Sequence, residues 1–172
     1  MIRAMRRLTL VVMLVVLFVP PSASAKQSFL IVRDVSIGGF PRDATVGRAV
    51  AIFGEPNRGA KPVYDRCTLR WRHLGLTMNT YYSQGDPSPC SDSGRHVSTT
   101  VTDRRWRTSV GLRIGDSAAK MRRLYGTAPS QGKGEWWLIL RPFAGIELPG
   151  LSARVKAGRV VSLTMYGPRV AF

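Results

Sequence analysis

The chain has 172 residues, 44% of them hydrophobic, with 26 Lys or Arg against 10 Asp or Glu for a net charge of +16. That length gives room for one or two small domains sharing a core, and no segment beyond the N-terminal 25 residues is apolar enough to span a bilayer as a helix. Two histidines and two cysteines leave little material for metal or nucleophilic chemistry.

The N-terminus places Arg3, Arg6 and Arg7 before a 12-residue apolar run from Leu8 to Val19, then Pro20-Pro21 and Ala23-Ser24-Ala25. A basic start, a short apolar centre and a small-x-small end predict a secretory signal peptide over 1–25, cut after Ala25. The run is shorter than the ~20 residues of a bilayer span, which favours a cleaved signal over the alternative of an uncleaved anchor. The chain after Ala25 carries 23 Lys or Arg and 10 Asp or Glu, a net +13. Such an excess suits a polyanion, and export points to an anionic cell-wall polymer rather than nucleic acid.

The first helix is expected over residues 46–53. Val46, Ala49, Val50 and Phe53 fall at i, i+3, i+4 and i+7, one apolar stripe. Asp43 to Thr45 supply capping oxygens ahead of it, and Gly54 followed by Pro56 stops it. Strands follow in "CTLRW" (67–71), in "LGLTMNTYY" (74–82), where Leu74, Leu76 and Met78 alternate with Gly75, Thr77 and Asn79, and in "HVSTTV" (96–101). Cys67 and Cys90 are expected to pair as a disulfide in an oxidising compartment, closing a 24-residue loop.

"TDRRWRTSVG" (102–111) is the expected junction. After it "GDSAAKMRRLYGTAP" repeats the pattern of "DATVGRAVAIFGEP", with Tyr125-Gly126 lying 72 residues beyond Phe53-Gly54. Asp116-Ser117 cap a second helix whose stripe is Ala118, Met121, Leu124 and Tyr125. Strands come next in "EWWLILR" (135–141), "LSARVK" (151–156) and "VVSLTMYG" (160–167), the last two joined through a tight turn at Gly158. The order helix, strands, helix, strands predicts an α+β fold. Two tandem helix-plus-antiparallel-sheet repeats pack side by side, one over residues 26–103 and the other over 104–172.

"TVGRAVAIFGEP", "IGDSAAKMRRLYGTAP" and the hairpin "ARVKAGRVVSLTMY" together resemble the β-lactamase-inhibitor-protein-like superfamily, which includes the outer-membrane assembly lipoproteins of the SmpA/OmlA type. The resemblance covers most of residues 40–167. It implies two helix-plus-sheet units forming one concave surface that grips another protein, with no cofactor and no chemistry. The inhibitor has a disulfide in each half, whereas cysteines occur here only in the first. The lipoproteins need a lipidated cysteine that is missing from this N-terminus. No functional residue carries over.

The residues themselves show no hydrolase elbow, no paired metal-ligating histidines and no nucleotide loop. No metal site, cofactor or catalytic residue is expected, although His73 and His96 leave open a hydrolase assembled only in space. If Trp71, Leu76, Met78, Trp136, Leu138, Val155 and Leu163 face the helices, alternation turns a second set outward. That set is Arg70, Arg72, Thr77, Asn79, Tyr81, Trp137, Arg141, Ser162, Thr164 and Tyr166. Arg, Tyr and Trp dominate interface hot spots, so Arg70, Arg72, Asn79, Tyr81, Trp137, Arg141 and Tyr166 are the candidate binding residues. The leading expectation is a secreted, non-enzymatic module that binds a protein in the envelope or outside the cell. A cell-wall polyanion binder and a hydrolase are the alternatives.

Overall fold

Apolar stripes too short to stand alone are brought together here on one face of a large sheet. The computed structural model describes residues 28–57, 66–81, 90–126 and 128–168. The proposed signal peptide lies outside these residues. Three short strands open the described chain, β1 (Leu30–Val32), β2 (Ser36–Ile37) and β3 (Phe40–Pro41), before helix α1 (Val46–Phe53). Strand β4 (Arg66–Trp71), a 3-10 turn (Arg72–Leu74), β5 (Leu76–Tyr81), β6 (Arg95–Val101) and β7 (Arg107–Thr108) follow. Helix α2 (Ala118–Tyr125) precedes β8 (Ser130–Gly132), β9 (Glu135–Phe143), β10 (Ile146–Lys156) and β11 (Arg159–Tyr166).

The fold is α+β. A seven-stranded sheet has the order β4-β5-β6-β11-β10-β9-β8, and a four-stranded sheet has the order β3-β2-β1-β7. All pairings in the large sheet are antiparallel, and β1 runs parallel to β7. The small sheet was not anticipated from sequence, because its strands of two or three residues carry no measurable period. The expected boundary at 103/104 falls between β6 and β7, and both sheets cross it: β6 pairs with β11, and β1 with β7.

Each helix is only eight residues long, marginal in isolation, and is held by the face it buries. In α1 that face is Val46, Ala49 and Phe53, with the Phe53 ring edge-on to Trp71 at 5.6 Å. Helix α2 buries Met121, and Arg122 lies over the Trp136 ring at 5.7 Å. Both helices dock their first turn on the sheet through the backbone. Val46 N–H donates to the Gly94 carbonyl (2.9 Å) and Ala118 N–H to the Gly158 carbonyl (2.8 Å). Thr45 bridges Arg95 at the start of β6, and Ser117 bridges Arg159 at the start of β11. The cap of α2 is the expected one, Ser117 Oγ accepting from Lys120 N–H (3.1 Å). The cap of α1 differs: the Thr45 side chain makes no capping bond, and the Gly94 and Asp92 carbonyls take the free amides instead.

The core is a single cluster that runs from Ile31, Ile37 and Phe40 of the small sheet through Trp71, Leu76, Met78 and Trp106 to Leu151, Leu163 and Met165. Its two buried indoles have polar partners, Trp71 Nε1 donating to the Gly54 carbonyl and Trp106 Nε1 to the Leu74 carbonyl, each at 2.7 Å. Of the residues expected to face the helices, Trp71, Leu76, Met78, Leu138 and Leu163 are buried, and Trp136 and Val155 pack partly buried against them. The β10–β11 turn places Ala157 and Gly158 both at positive φ (48° and 71°), the conformation of a two-residue hairpin.

Cys67 and Cys90 form a disulfide, joining the buried side of β4 to the residues before β6. Replacing both by alanine is expected to lower the unfolding free energy by about 3 kcal/mol, the chain-entropy value for such a loop, read as a shift in the urea midpoint. An unchanged midpoint would show that the bridge constrains nothing in the unfolded chain.

Candidate functional site

Strand alternation turns one set of side chains of the large sheet into the core and the other set away from it. On the outer side Arg70, Thr77, Thr100, Thr164, Ser152 and Trp137 stand opposite one another in one row across six strands. A second row is Thr68, Asn79, Ser98 and Tyr166, and a third is Arg66, Tyr81 and Arg95. Beyond them Ser162 pairs with Arg154 and Arg154 with Glu135. Arg70 is exposed, and Tyr81, Trp137 and Tyr166 are half-buried, as expected of side chains lying along an open sheet. Ser98, Thr100, Glu135, Ser152, Thr164 and Tyr166 line an open depression of 420 Å³ in the middle of this face.

Hydrogen bonds tie the rows together. Thr68 Oγ1 donates to Asn79 Oδ1 (2.9 Å), and Asn79 Nδ2 donates to Ser98 Oγ (3.1 Å). The Thr100 and Thr164 hydroxyls bond across the β6–β11 pairing at 2.9 Å. Tyr166 donates its hydroxyl proton to Glu135 Oε1 (3.0 Å), which leaves the phenol oxygen to accept from Ser152 Oγ (3.2 Å). Burial chiefly, opposed by the Ser152 bond and reinforced by the Glu135 carboxylate, pushes the Tyr166 hydroxyl up to about 12. It therefore remains a donor through the physiological range. These fixed partners hold the side chains in place before any ligand arrives.

Two of the seven candidate binding residues lie elsewhere. Arg72 belongs to the 3-10 turn that ends β4, outside the strand ladder, and its backbone N–H donates to Asn57 Oδ1. Arg141 is turned to the N-terminal segment. Its Nε donates to Asp34 Oδ1 (2.6 Å), and its Nη atoms donate to the carbonyls of Tyr166 (2.8 Å) and Gly167 (3.2 Å). Two register shifts between β9 and β10, at Pro149/Leu151 and Leu151/Ser152, break the strict alternation that would have placed it beside Trp137. Asp34 also accepts from Arg42 Nη1 (3.1 Å), so one carboxylate joins two arginines. A side chain at Gly150 has no room, since a Cβ there would stand 2.5 Å from Asp34 Oδ1 and 2.7 Å from Arg141 Nε. Sequence reasoning missed Ser98, Thr100, Glu135, Ser152 and Arg154. Of these, Glu135 was within reach, two residues before the outward Trp137.

The two histidines are far apart in role. His73 sits in the 3-10 turn, exposed. His96 is 3% exposed, with the Phe40 ring edge-on at 5.2 Å. The Arg42 carbonyl can only accept, so Nδ1 carries the proton donated to it (2.6 Å), and Nε2 accepts from the Thr99 hydroxyl (2.8 Å). Burial, the largest influence, holds His96 down at about 4; the ring's bond to Arg42 opposes that and the Arg141 charge adds to it. Among the described residues no group of three His, Cys, Asp or Glu could hold a metal ion, and no helix is long and apolar enough to cross a membrane.

No protein-family model and no curated protein matches this chain. A solved structure similar to it is an extracellular protein containing an SCP domain from Bacillus anthracis str. Ames, at 11% identity and a TM-score of 0.43, covering 73% of this chain. The chain spans 44% of that protein's length.

Arg141→Ala should lower stability by about 1–3 kcal/mol, because it leaves the Asp34 carboxylate to Arg42 and takes the Arg141 donors away from the Tyr166 and Gly167 carbonyls in a partly buried setting. A loss below 0.5 kcal/mol in urea unfolding would show that the network is dispensable. His96 is neutral in both folded and unfolded chains well above its ordinary 6.5. As pH falls from 6.5 towards 4, the unfolded chain takes up a proton that the folded one refuses, so stability drains away in that window. The drop between pH 7 and pH 4.5 should be about 2–3 kcal/mol larger in the native protein than in a His96→Gln variant. Identical profiles would mean that carboxylates alone set the acid sensitivity.

Proposed function

We propose that the protein is a secreted, non-enzymatic binding module that grips a protein partner on the outer, concave face of its seven-stranded sheet. The observation that carries this reading is the six-strand row from Arg70 to Trp137, flanked by Tyr81 and Tyr166, with its central hydroxyls ordered by hydrogen bonds. Rigid aromatic surface with few torsions to lose, next to a guanidinium fork and a floor of hydroxyls, suits a protein epitope of mixed polarity. The Cys67–Cys90 bridge favours an oxidising compartment, in keeping with a signal peptide cut after Ala25.

The matching docking of α1 at Gly94 and α2 at Gly158 supports an origin by tandem duplication of a helix-plus-sheet unit. It also fits the resemblance to the β-lactamase-inhibitor-protein-like superfamily, whose members bind proteins on such a face. Duplication would widen the sheet from one unit to two without adding chemistry.

The test is a pull-down with residues 26–172, disulfide formed, from the envelope and secreted fractions of the source, followed by affinity measurement on the captured protein. Tyr81→Ala and Trp137→Ala should each weaken the complex by at least about ten-fold, close to 1.4 kcal/mol, while leaving the melting temperature within a few degrees of the native value. Full affinity in both variants would remove the outer face as the binding surface.

A further inference from the structure

A second surface lies away from the outer sheet face and shares none of its residues. Strand β7 and the loop that follows it turn back so that Arg107 stands directly opposite Arg113 in an antiparallel bridge. Both side chains are exposed, and neither forms an ion pair among the described residues. Two like charges thus occupy facing positions of one bridge, an arrangement that cross-strand pairing ordinarily disfavours. Lys120 adds a third cation beside them, and the three line an open cavity of 490 Å³ together with Thr108, Ser109 and Asp116.

The one carboxylate in the cavity is already engaged. Asp116 Oδ2 lies 2.7 Å from Lys120 Nζ and accepts the Arg113 backbone N–H at 2.8 Å. Three cations against one acid leave a surplus of two charges, both of them guanidinium forks. The loop backbone is fixed: Thr108 N–H donates to the Leu112 carbonyl (2.8 Å), and Leu112 N–H returns a bond to Thr108 Oγ1 (3.1 Å). The turn therefore keeps the Arg107 and Arg113 backbones opposite each other. The surrounding segment extends the field, since residues 104–123 hold seven Lys or Arg and a single acid.

We propose that this cavity binds a phosphate group of a phosphate-rich polymer. A guanidinium pair matches a tetrahedral oxyanion with two forked donor sets, and a surplus of two positive charges is what a phosphate cancels and a lone carboxylate does not. The cavity is open on one side, so the polymer continues past the bound group, and the neighbouring arginines meet its further charges. This site does not depend on the reading of the outer sheet face, and either can fail without the other.

The experiment follows thermal unfolding and calorimetric titration of residues 26–172, disulfide formed, at low ionic strength, with inorganic phosphate, pyrophosphate and long-chain polyphosphate as probes. The native protein should be stabilised by all three, most by polyphosphate, as expected for ligands that bind only the folded state. Arg107→Gln and Arg113→Gln should each weaken polyphosphate binding by about ten-fold and make its salt dependence shallower. Arg48→Gln, on the exposed side of α1, serves as the control and should bind like the native chain. Equal losses in the control and in both cavity variants would overturn the site in favour of diffuse attraction by net charge. No stabilisation of the native protein by any probe would overturn it outright, and inorganic phosphate binding as tightly as polyphosphate would overturn the polymer.

Discussion

The antiparallel pairing of β6 with β11 is the junction on which the rest of the molecule rests. Val101 meets Leu163 and Thr99 meets Met165 on the buried side, while Thr100 meets Thr164 and Ser98 meets Tyr166 on the other. Without this pairing the chain would hold two small sheets, each with a long unpaired edge and too little apolar surface to cover it. With it, strands from both halves form one sheet whose inner face the helices and the small sheet jointly cover. The same pairing aligns the outer rows, so that a threonine of the first half hydrogen-bonds one of the second.

Charge is distributed over this frame in three ways. Some arginines are structural. Arg141 and Arg42 converge on Asp34 and fasten the N-terminal segment to the far end of the large sheet, across 107 residues of sequence for Arg141. Others lie along the outer sheet face, where Arg66, Arg70, Arg95 and Arg154 border aromatic and hydroxyl side chains. A third group, Arg107, Arg113 and Lys120, lines one open cavity beside α2. Net charge by itself does not distinguish these groups, since each contributes the same unit to the total.

The strands and helices were largely legible from local pattern. Both helices begin and end where capping oxygens and glycines indicate, and the inward set of alternating residues proved buried or packed against the core. Less was legible where one residue changes the phase. The register shifts in β9–β10 carried Arg141 off the outer face, and the 3-10 turn after Trp71 removed Arg72. A bulge costs little in propensity and leaves no periodic trace, so alternation read along a strand continues past it unaware. The strands of the small sheet are likewise too short to carry a period.

The sequence by itself determined the α+β class, the two capped helices, the cysteine pair and the side of each regular strand that turns inward, because these depend on residues within a few positions of one another. Tertiary structure decided which strands are neighbours, that Thr100 faces Thr164, that Asp34 claims Arg141 and that Arg107 stands opposite Arg113. Those are contacts between distant or turned-back segments. Their partners are selected by the burial of a shared core and by ladder register, neither of which any short stretch of the chain contains.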